Sequence, residues 1–142
     1  MYYNDLLDAV KAVEATFDEV NAMCNDNYPA PKFPLCDVDK SLKDGTLTLT
    51  LALAGYKKDV ISISTEENCV VVKTVEGYET PKVAEGTKRM ADNIKKSPFV
   101  ARYILPETKF NFAEITAKFE DGELVITIPP KEKKEYKSIS IA

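Results

Sequence analysis

The sequence predicts an all-β protein: an immunoglobulin-like antiparallel β-sandwich with a short N-terminal helical arm and an extended C-terminal tail. Two observations support the sandwich. Short segments in which apolar and polar residues alternate recur along most of the chain, with turn signals about every 8–12 residues. No segment with helical periodicity separates them, which is the order of elements expected for two packed antiparallel sheets.

Residues 1–27 are predicted to form the helical arm. Over residues 4–24, apolar side chains recur at spacings of three and four, which places them on one face of a helix. These apolar residues are Leu6, Val10, Val13, Phe17, Val20 and Cys24. The arm contains one base and six acids, a charge of −5, in a chain whose net charge is −4. Because an isolated helix of this length is marginal in water, the apolar face needs a partner: the body of the chain, another subunit or a client protein.

A proline-rich linker at residues 28–34 ends the helix and keeps the chain extended. The strongest strand pattern follows at residues 46–53, where leucine alternates with threonine over most of the segment. Further strands are predicted at residues 61–64 and 69–73, the second of which is rich in valine. The apolar period therefore changes at the linker from that of a helix to that of a strand.

The long loop, residues 76–98, shows no clear period and contains two glycines and two prolines. A segment of 23 residues without regular structure is unusual in a compact domain, and such a loop is usually functional or disordered. Strands resume at residues 99–105, 114–119 and 124–128. The Asp121-Gly122 dipeptide predicts a tight hairpin between the last two, so the chain should contain six or seven strands.

The composition argues against an enzyme, and no catalytic, metal-binding or cofactor-binding residue is predicted. The chain has no histidine, the commonest general base and metal ligand, and no nucleotide-binding or nucleophile motif. Cys24, Cys36 and Cys69 form no CxxC pair, which argues against a disulfide framework or a zinc site and favours a reducing cytoplasm. The charge of −4 gives no pervasive basic surface for nucleic acid, and no apolar run reaches the ~18 residues of a membrane span.

Four short segments carry a resemblance to a known family. They read L-A-L-A-G-Y-K-K-D at residues 51–59, Y-I-L-P-E at 103–107, A-K-F-E-D-G-E-L at 117–124 and I-S-I at 139–141. Each is weak alone, but their order and spacing over residues 28–141 resemble the small heat-shock proteins of the alpha-crystallin family. The short arm and the long loop are most similar to those of bacterial-type or phage-encoded members.

This resemblance implies that residues 28–130 form an alpha-crystallin domain and that the chain is an ATP-independent holdase. Such a chaperone binds partly unfolded client proteins and prevents their aggregation as a large, dynamic homo-oligomer of dimers. The resemblance also implies that the long loop supplies a strand that pairs with the partner subunit, and Val83 and Ile94 are the candidates for that strand. Members commonly have an interface arginine five residues before the proline of the Leu-Pro motif. Here that position is Ala101, and the remaining candidate, Arg102, is expected to face the other side of the strand.

The tail, residues 131–142, ends in a segment that looks like the family's I-x-I motif. Ile139 and Ile141 point the same way when the chain is extended. The resemblance implies that they enter a groove on a neighbouring dimer, between two strands that carry Ile61, Ile63, Ile115 and Ala117. The alternative is that the tail extends the sandwich of its own subunit. The candidates for client binding are apolar arm residues that the oligomer normally hides, namely Leu6, Val10, Val13, Phe17 and Val20.

Three other classes of protein compete with this interpretation. A monomeric or dimeric co-chaperone-like sandwich would usually lack the I-x-I tail and the long loop. A sugar- or ligand-binding sandwich would usually show exposed aromatic residues on its loops, and Tyr78 is the only aromatic residue in the long loop. An enzyme is disfavoured by the missing motifs. The predicted partners are therefore other copies of the chain and unfolding clients, in the cytoplasm.

Overall fold

Seven strands form in the part of the chain that the structure, a computed structural model, describes: residues 32–132 and 139–142. The strands are β1 Cys36–Lys40, β2 Leu47–Ala52, β3 Ile61–Glu66, β4 Cys69–Thr74, β5 Val100–Ile104, β6 Thr116–Glu120 and β7 Glu123–Ile128. The only helices in this part of the chain are the short 3-10 turns Lys58–Val60 and Phe112–Glu114. The predicted all-β class is confirmed, and the arm predicted for residues 1–27 lies outside the described residues.

The strands form two antiparallel sheets, with the orders β1-β2-β7-β6 and β3-β4-β5. On the inner face of the first sheet, the leucines of β2 lie directly opposite apolar residues of β7. For example, Leu49 lies opposite Ile126, and these two side chains are fully buried. Val72 and Ala101 line the facing side of the second sheet and are also fully buried. The alternation of the sequence therefore produces one apolar core between two layers, with the threonines of β2 on the outside.

The predicted hairpin is present between β6 and β7. Asp121 and Gly122 have φ angles of +53° and +77°, as a two-residue type I′ turn requires. Gly122 also packs closely on the preceding strand exit, where an added Cβ would lie 3.2 Å from the Cα of Ala54. The turn therefore needs glycine both for its backbone conformation and for the space it leaves.

Two details differ from the sequence-based expectation. Strand β1 was not predicted, because its sequence C-D-V-D-K offers only Cys36 and Val38 as apolar residues. Strand β6 begins at Thr116 rather than at 114, because the carboxamide oxygen of Asn111 accepts a hydrogen bond from the N–H of Ala113 and caps a 3-10 turn there.

The two sheets are aligned so that β1 lies over β5. The thiol of Cys36 on β1 lies against the hydroxyl of Tyr103 on β5, and the rings of Phe33 and Phe99, just before these strands, are in edge contact at 5.4 Å. Because β6 and β3 are the opposite edges of the same two sheets, they share the other side of the sandwich. The molecule thus has a β1/β5 side and a β3/β6 side.

Candidate assembly surfaces

Strand β3 has an open edge on the β3/β6 side. The N–H of Val75 donates to the carbonyl of Val60 at 2.8 Å, which fixes the alternation of the β3–β4 ladder. Main-chain groups of Ser62 and Ser64 therefore face β4, and those of Ile61 and Ile63 point away from the sheet. A further extended chain could hydrogen-bond to this edge.

Strand β6 has the matching open edge. The hairpin closes on the pair Glu120–Glu123, and the N–H of Leu53 donates to the carbonyl of Gly122 at 2.8 Å on the other side of β7. The alternation then directs the main-chain groups of Ala117 and Phe119 away from β7. The β3/β6 side consequently presents two unpaired edges, one from each layer.

The four predicted groove residues all lie on this side. Ile61 and Ile63 are half-buried and pack against the core from β3, and Ile115 does so from the residue just before β6. Ala117 is exposed and opposite Ile126, so its small side chain faces inward and leaves space beside the core. We call the surface between β3 and β6 the tail groove.

A further apolar residue lies on this surface and is absent from the predicted set. Phe119 follows Ala117 on the same face of β6, is half-buried against the core and pairs with Leu124. The shared face of residues 115, 117 and 119 is visible in the sequence, so the alternation alone could have placed Phe119 in the groove.

The tail isoleucines are almost fully exposed in the single chain. Ile139 is 88% exposed and Ile141 is 98% exposed. The described residues of the chain therefore leave both side chains uncovered.

The long loop also exposes its apolar residues. Val83, Met90 and Ile94 are exposed, and within residues 76–98 the structure contains turns and bends but no strand. Both predicted dimer-strand candidates of the loop, Val83 and Ile94, are therefore accessible, and neither pairs with a strand in the described part of the chain.

The third dimer candidate, Arg102, is on the outer face of its sheet. Its guanidinium donates to a carboxylate oxygen of Glu66 on β3 of the same chain, and both side chains are partly exposed. This hydrogen bond and the charge of Glu66 raise the pKa of Arg102 further above its ordinary value. Its neighbour Ala101, at the position where the family commonly has arginine, is fully buried in the core. Arg102 thus has an ion-pair partner within its own subunit.

The two cysteines in the described residues are protonated thiols at neutral pH. Burial raises the pKa of Cys36 from 9.0 to about 11, and burial likewise raises the pKa of Cys69. Neither forms a disulfide. Among the described residues no group of three or more cysteine or carboxylate ligands could hold a metal ion, and no helix is long and apolar enough to cross a membrane.

The five client-binding candidates, Leu6, Val10, Val13, Phe17 and Val20, lie outside the described residues. The described part of the chain therefore contributes the tail groove, the exposed tail isoleucines and the long loop.

Comparison with known proteins agrees with this architecture. A model of the Hsp20/alpha crystallin family matches residues 37–142. The mitochondrial 22 kDa heat shock protein of Pisum sativum is 27% identical over 96 residues, 68% of this chain, and the chain spans 44% of that protein's length. Heat shock protein 16.0 of Schizosaccharomyces pombe is 26% identical and superimposes with a TM-score of 0.57 over 77% of this chain and 97% of the other.

A small heat-shock protein from Xylella fastidiosa has the same fold, with a TM-score of 0.57 at 21% identity over 80% of this chain and 99% of the other. The matched family model covers the sandwich from the second residue of β1 onward, includes the long loop and extends through the tail isoleucines. The chain belongs to the Hsp20/alpha crystallin family.

Proposed function

We propose that the protein is a cytoplasmic, ATP-independent holdase that assembles through its tail and its long loop into a homo-oligomer of dimers. The family consists of ATP-independent chaperones rather than enzymes. The observation that carries the proposal for this chain is the pairing of two features. Ile139 and Ile141 are exposed, and half-buried apolar residues lie between the open edges of β3 and β6.

The alternation of side chains in the tail matches that of the strand β3 beside the groove. In an extended tail, Ile139 and Ile141 point to one face and Ser140 to the other. On β3, the residues whose side chains point inward, Ile61 and Ile63, are also those whose main-chain groups face the open edge. A tail strand paired with this edge would therefore place both isoleucines against the core and form main-chain hydrogen bonds through the same residues.

The expected strength of one such contact is modest. Burying two isoleucine side chains contributes roughly 3–6 kcal/mol. Ordering the charged linker and the tail costs much of this, since each fixed residue loses about 1–2 kcal/mol of backbone entropy. A single docked tail is thus a weak, exchangeable link, and several links per assembly act together through their effective concentration.

The dimer would form on the β1/β5 side. The N–H of Ala52 donates to the carbonyl of Leu35 at 2.9 Å, so the ladder alternation turns the main-chain groups of Cys36 and Val38 away from β2. Within the described residues no strand covers this edge of β1. A strand from the long loop of a second subunit, around Val83 or Ile94, could pair with it. A segment that pairs in this way needs no partner strand in its own subunit, which would explain why the loop forms no strand there.

Client binding is assigned to the arm. Its apolar residues Val10 and Phe17, with the others on the same predicted face, would be covered in the resting oligomer and released when tail contacts loosen. A heated or otherwise unfolding client exposes apolar segments of its own, and these bind the released surface without any nucleotide-driven step.

The test compares three full-length proteins: the wild type, Ile139→Ala with Ile141→Ala, and the matched control Ser140→Ala. Native mass is measured by light scattering on a sizing column, and protection of a heat-denatured client is measured by turbidity without ATP. We expect a large oligomer for the wild type and the control, and dimers for the double variant. A third variant, Val10→Ala with Phe17→Ala, shortens the arm's apolar side chains without burying a charge, and it should stay oligomeric and lose protection.

Two results would contradict the proposal. A wild-type monomer would favour the alternative, a co-chaperone-like interaction module. An oligomer of unchanged mass in the double variant would show that assembly does not use the tail groove.

A further inference from the structure

Four aromatic rings from distant parts of the sequence meet where the long loop joins the sandwich. Phe33 comes from the linker before β1, Tyr56 from the exit of β2, Tyr78 from the start of the long loop and Phe99 from its end. Ring centroids are 5.4 to 6.1 Å apart in four pairs, two of them edge-to-face. We call these residues the aromatic cluster; their contacts hold the two ends of the loop together.

Two hydroxyl groups of the aromatic cluster bond to the end of the loop. The Tyr56 hydroxyl donates to the carbonyl of Ser97, and the Tyr78 hydroxyl donates to the carbonyl of Lys96, each at 2.7 Å. The two accepting carbonyls are consecutive in the chain. Two consecutive peptide groups are therefore held by hydrogen bonds from side chains that are themselves held by ring packing.

The bonded segment adopts an unfavourable backbone conformation. Lys95 and Lys96 have φ angles of +60° and +45°, a region that L residues other than glycine and asparagine seldom occupy. The N–H of Lys96 donates to the carbonyl of Ile94 at 2.7 Å, which tightens the turn. The Lys96 side chain passes over Gly55, where an added Cβ would lie 2.7 Å from its Cε. Such a turn persists only where its surroundings hold it.

We propose that Tyr56 and Tyr78 are positioning residues, whose hydroxyls hold the Lys95–Lys96 turn and so set the direction in which residues 79–94 leave the sandwich. This role rests on the proposed pairing of that segment with a second subunit. The loop would then be presented to its partner in a preset direction, and less conformational freedom would be lost on pairing. Ring packing alone does not fix this direction, because packed rings can slide past one another. A hydrogen bond requires a defined distance and angle.

The test removes the hydroxyls and keeps the rings. In the full-length protein, Tyr56→Phe with Tyr78→Phe should leave the thermal midpoint of the sandwich and the amide exchange of β2 unchanged. Amide hydrogen exchange over residues 94–98 should become faster by on the order of tenfold, the loss expected for two hydrogen bonds. Subunit exchange between differently labelled populations should accelerate by a similar factor.

A rescue variant separates positioning from packing. Adding Lys95→Asn to the double variant should slow both rates again, because asparagine accepts a positive φ more readily than lysine. Adding Lys95→Gln, which also removes the charge but has no such preference, should not. Unchanged amide exchange over residues 94–98 in the tyrosine variant would overturn the proposal.

Faster amide exchange with an unchanged rate of subunit exchange would also overturn the positioning role, while leaving the proposed dimer intact. A monomeric wild type would be recognised first, from its native mass, and would overturn the proposed pairing together with this role. The two failures are therefore distinguishable.

Discussion

The two sides of the sandwich are closed in different ways. On the β1/β5 side, the aromatic cluster spans both layers, and the thiol of Cys36 lies against the hydroxyl of Tyr103. On the β3/β6 side, Ile63 and Ile115 remain half-buried and Ala117 is exposed. Both sides have edge strands, but one side is filled by the chain's own side chains and the other keeps uncovered apolar surface between its edges.

This difference indicates what each side can bind. On the filled side, an additional apolar chain would bury little new apolar surface. This side therefore offers mainly the main-chain groups of β1 to a partner strand. On the unfilled side, each apolar side chain that enters contributes binding free energy of about 25 cal/mol per Å² of apolar surface removed from water. The β3/β6 side is therefore suited to short apolar segments that come and go, as the proposed tail docking requires.

The largest expected effect is on assembly, from a charge placed in the unfilled side. Ala117→Glu puts a carboxylate where the proposed tail would bury isoleucine, and desolvation of that charge opposes docking. Because Ala117 is exposed, the sandwich itself should keep its thermal midpoint. Native mass should fall from oligomer to dimer.

The matched control for this prediction is Thr116→Glu, the neighbouring residue of β6, which is on the outer face, uncharged and also exposed. It adds a carboxylate to the same strand outside the groove and should leave the mass unchanged. Equal masses for the Ala117 variant and the wild type would mean that the unfilled side has no role in assembly.

A smaller effect is expected on folding when one half-buried apolar side chain is shortened on each side. Phe99→Ala removes two ring contacts of the aromatic cluster and should lower the free energy of unfolding by about 2–3 kcal/mol. Ile63→Ala removes a half-buried side chain at an unfilled edge and should cost about 1–2 kcal/mol. Urea unfolding monitored by far-UV circular dichroism measures both. Equal costs would refute the contrast drawn between the sides.

The effect that is smallest at neutral pH is a pH dependence that involves the filled side. The pKa of Cys36 is raised by burial from 9.0 to about 11, so the folded state holds this proton more tightly than the unfolded state. Its contribution to stability is complete below pH 9.0 and is lost as the pH rises toward about 11. Cys36→Ala should therefore flatten the fall in unfolding free energy across this range.

Burial raises the pKa of Tyr56 as well, so this tyrosine also contributes to the pH dependence in alkaline solution. The informative quantity is accordingly the difference between the variant and the wild type at each pH. Parallel curves for the two proteins would show that the Cys36 thiol does not contribute.

Much of the sandwich could be predicted because its signals are local. The Leu/Thr alternation of β2 and the Asp121-Gly122 turn each specify their own conformation. Strand β1 was not predicted, because its alternation covers only five residues and includes two aspartates, which are depleted in strands; its conformation comes from pairing with β2.

The candidate surfaces divide in the same way. The groove residues followed from alternation combined with the family resemblance, because each strand face can be read from its own sequence. The aromatic cluster joins residues 33, 56, 78 and 99, and no periodic pattern links positions so far apart. Likewise, the positive φ angles of Lys95 and Lys96 are imposed by tertiary hydrogen bonds and leave no trace in residue type.

The open edges also bear on the protein's own solubility. Unpaired strands can template the aggregation that a holdase prevents, and charged residues at such edges act as gatekeepers against it. Strand β1 carries Asp37 and Asp39, and β6 carries the ion pair of Lys118 with Glu120. Strand β3 has no charge before Glu66, its last residue. Under the proposed docking, the tail that links subunits would also cover the edge of β3, where the sequence places no charge before the last residue of the strand.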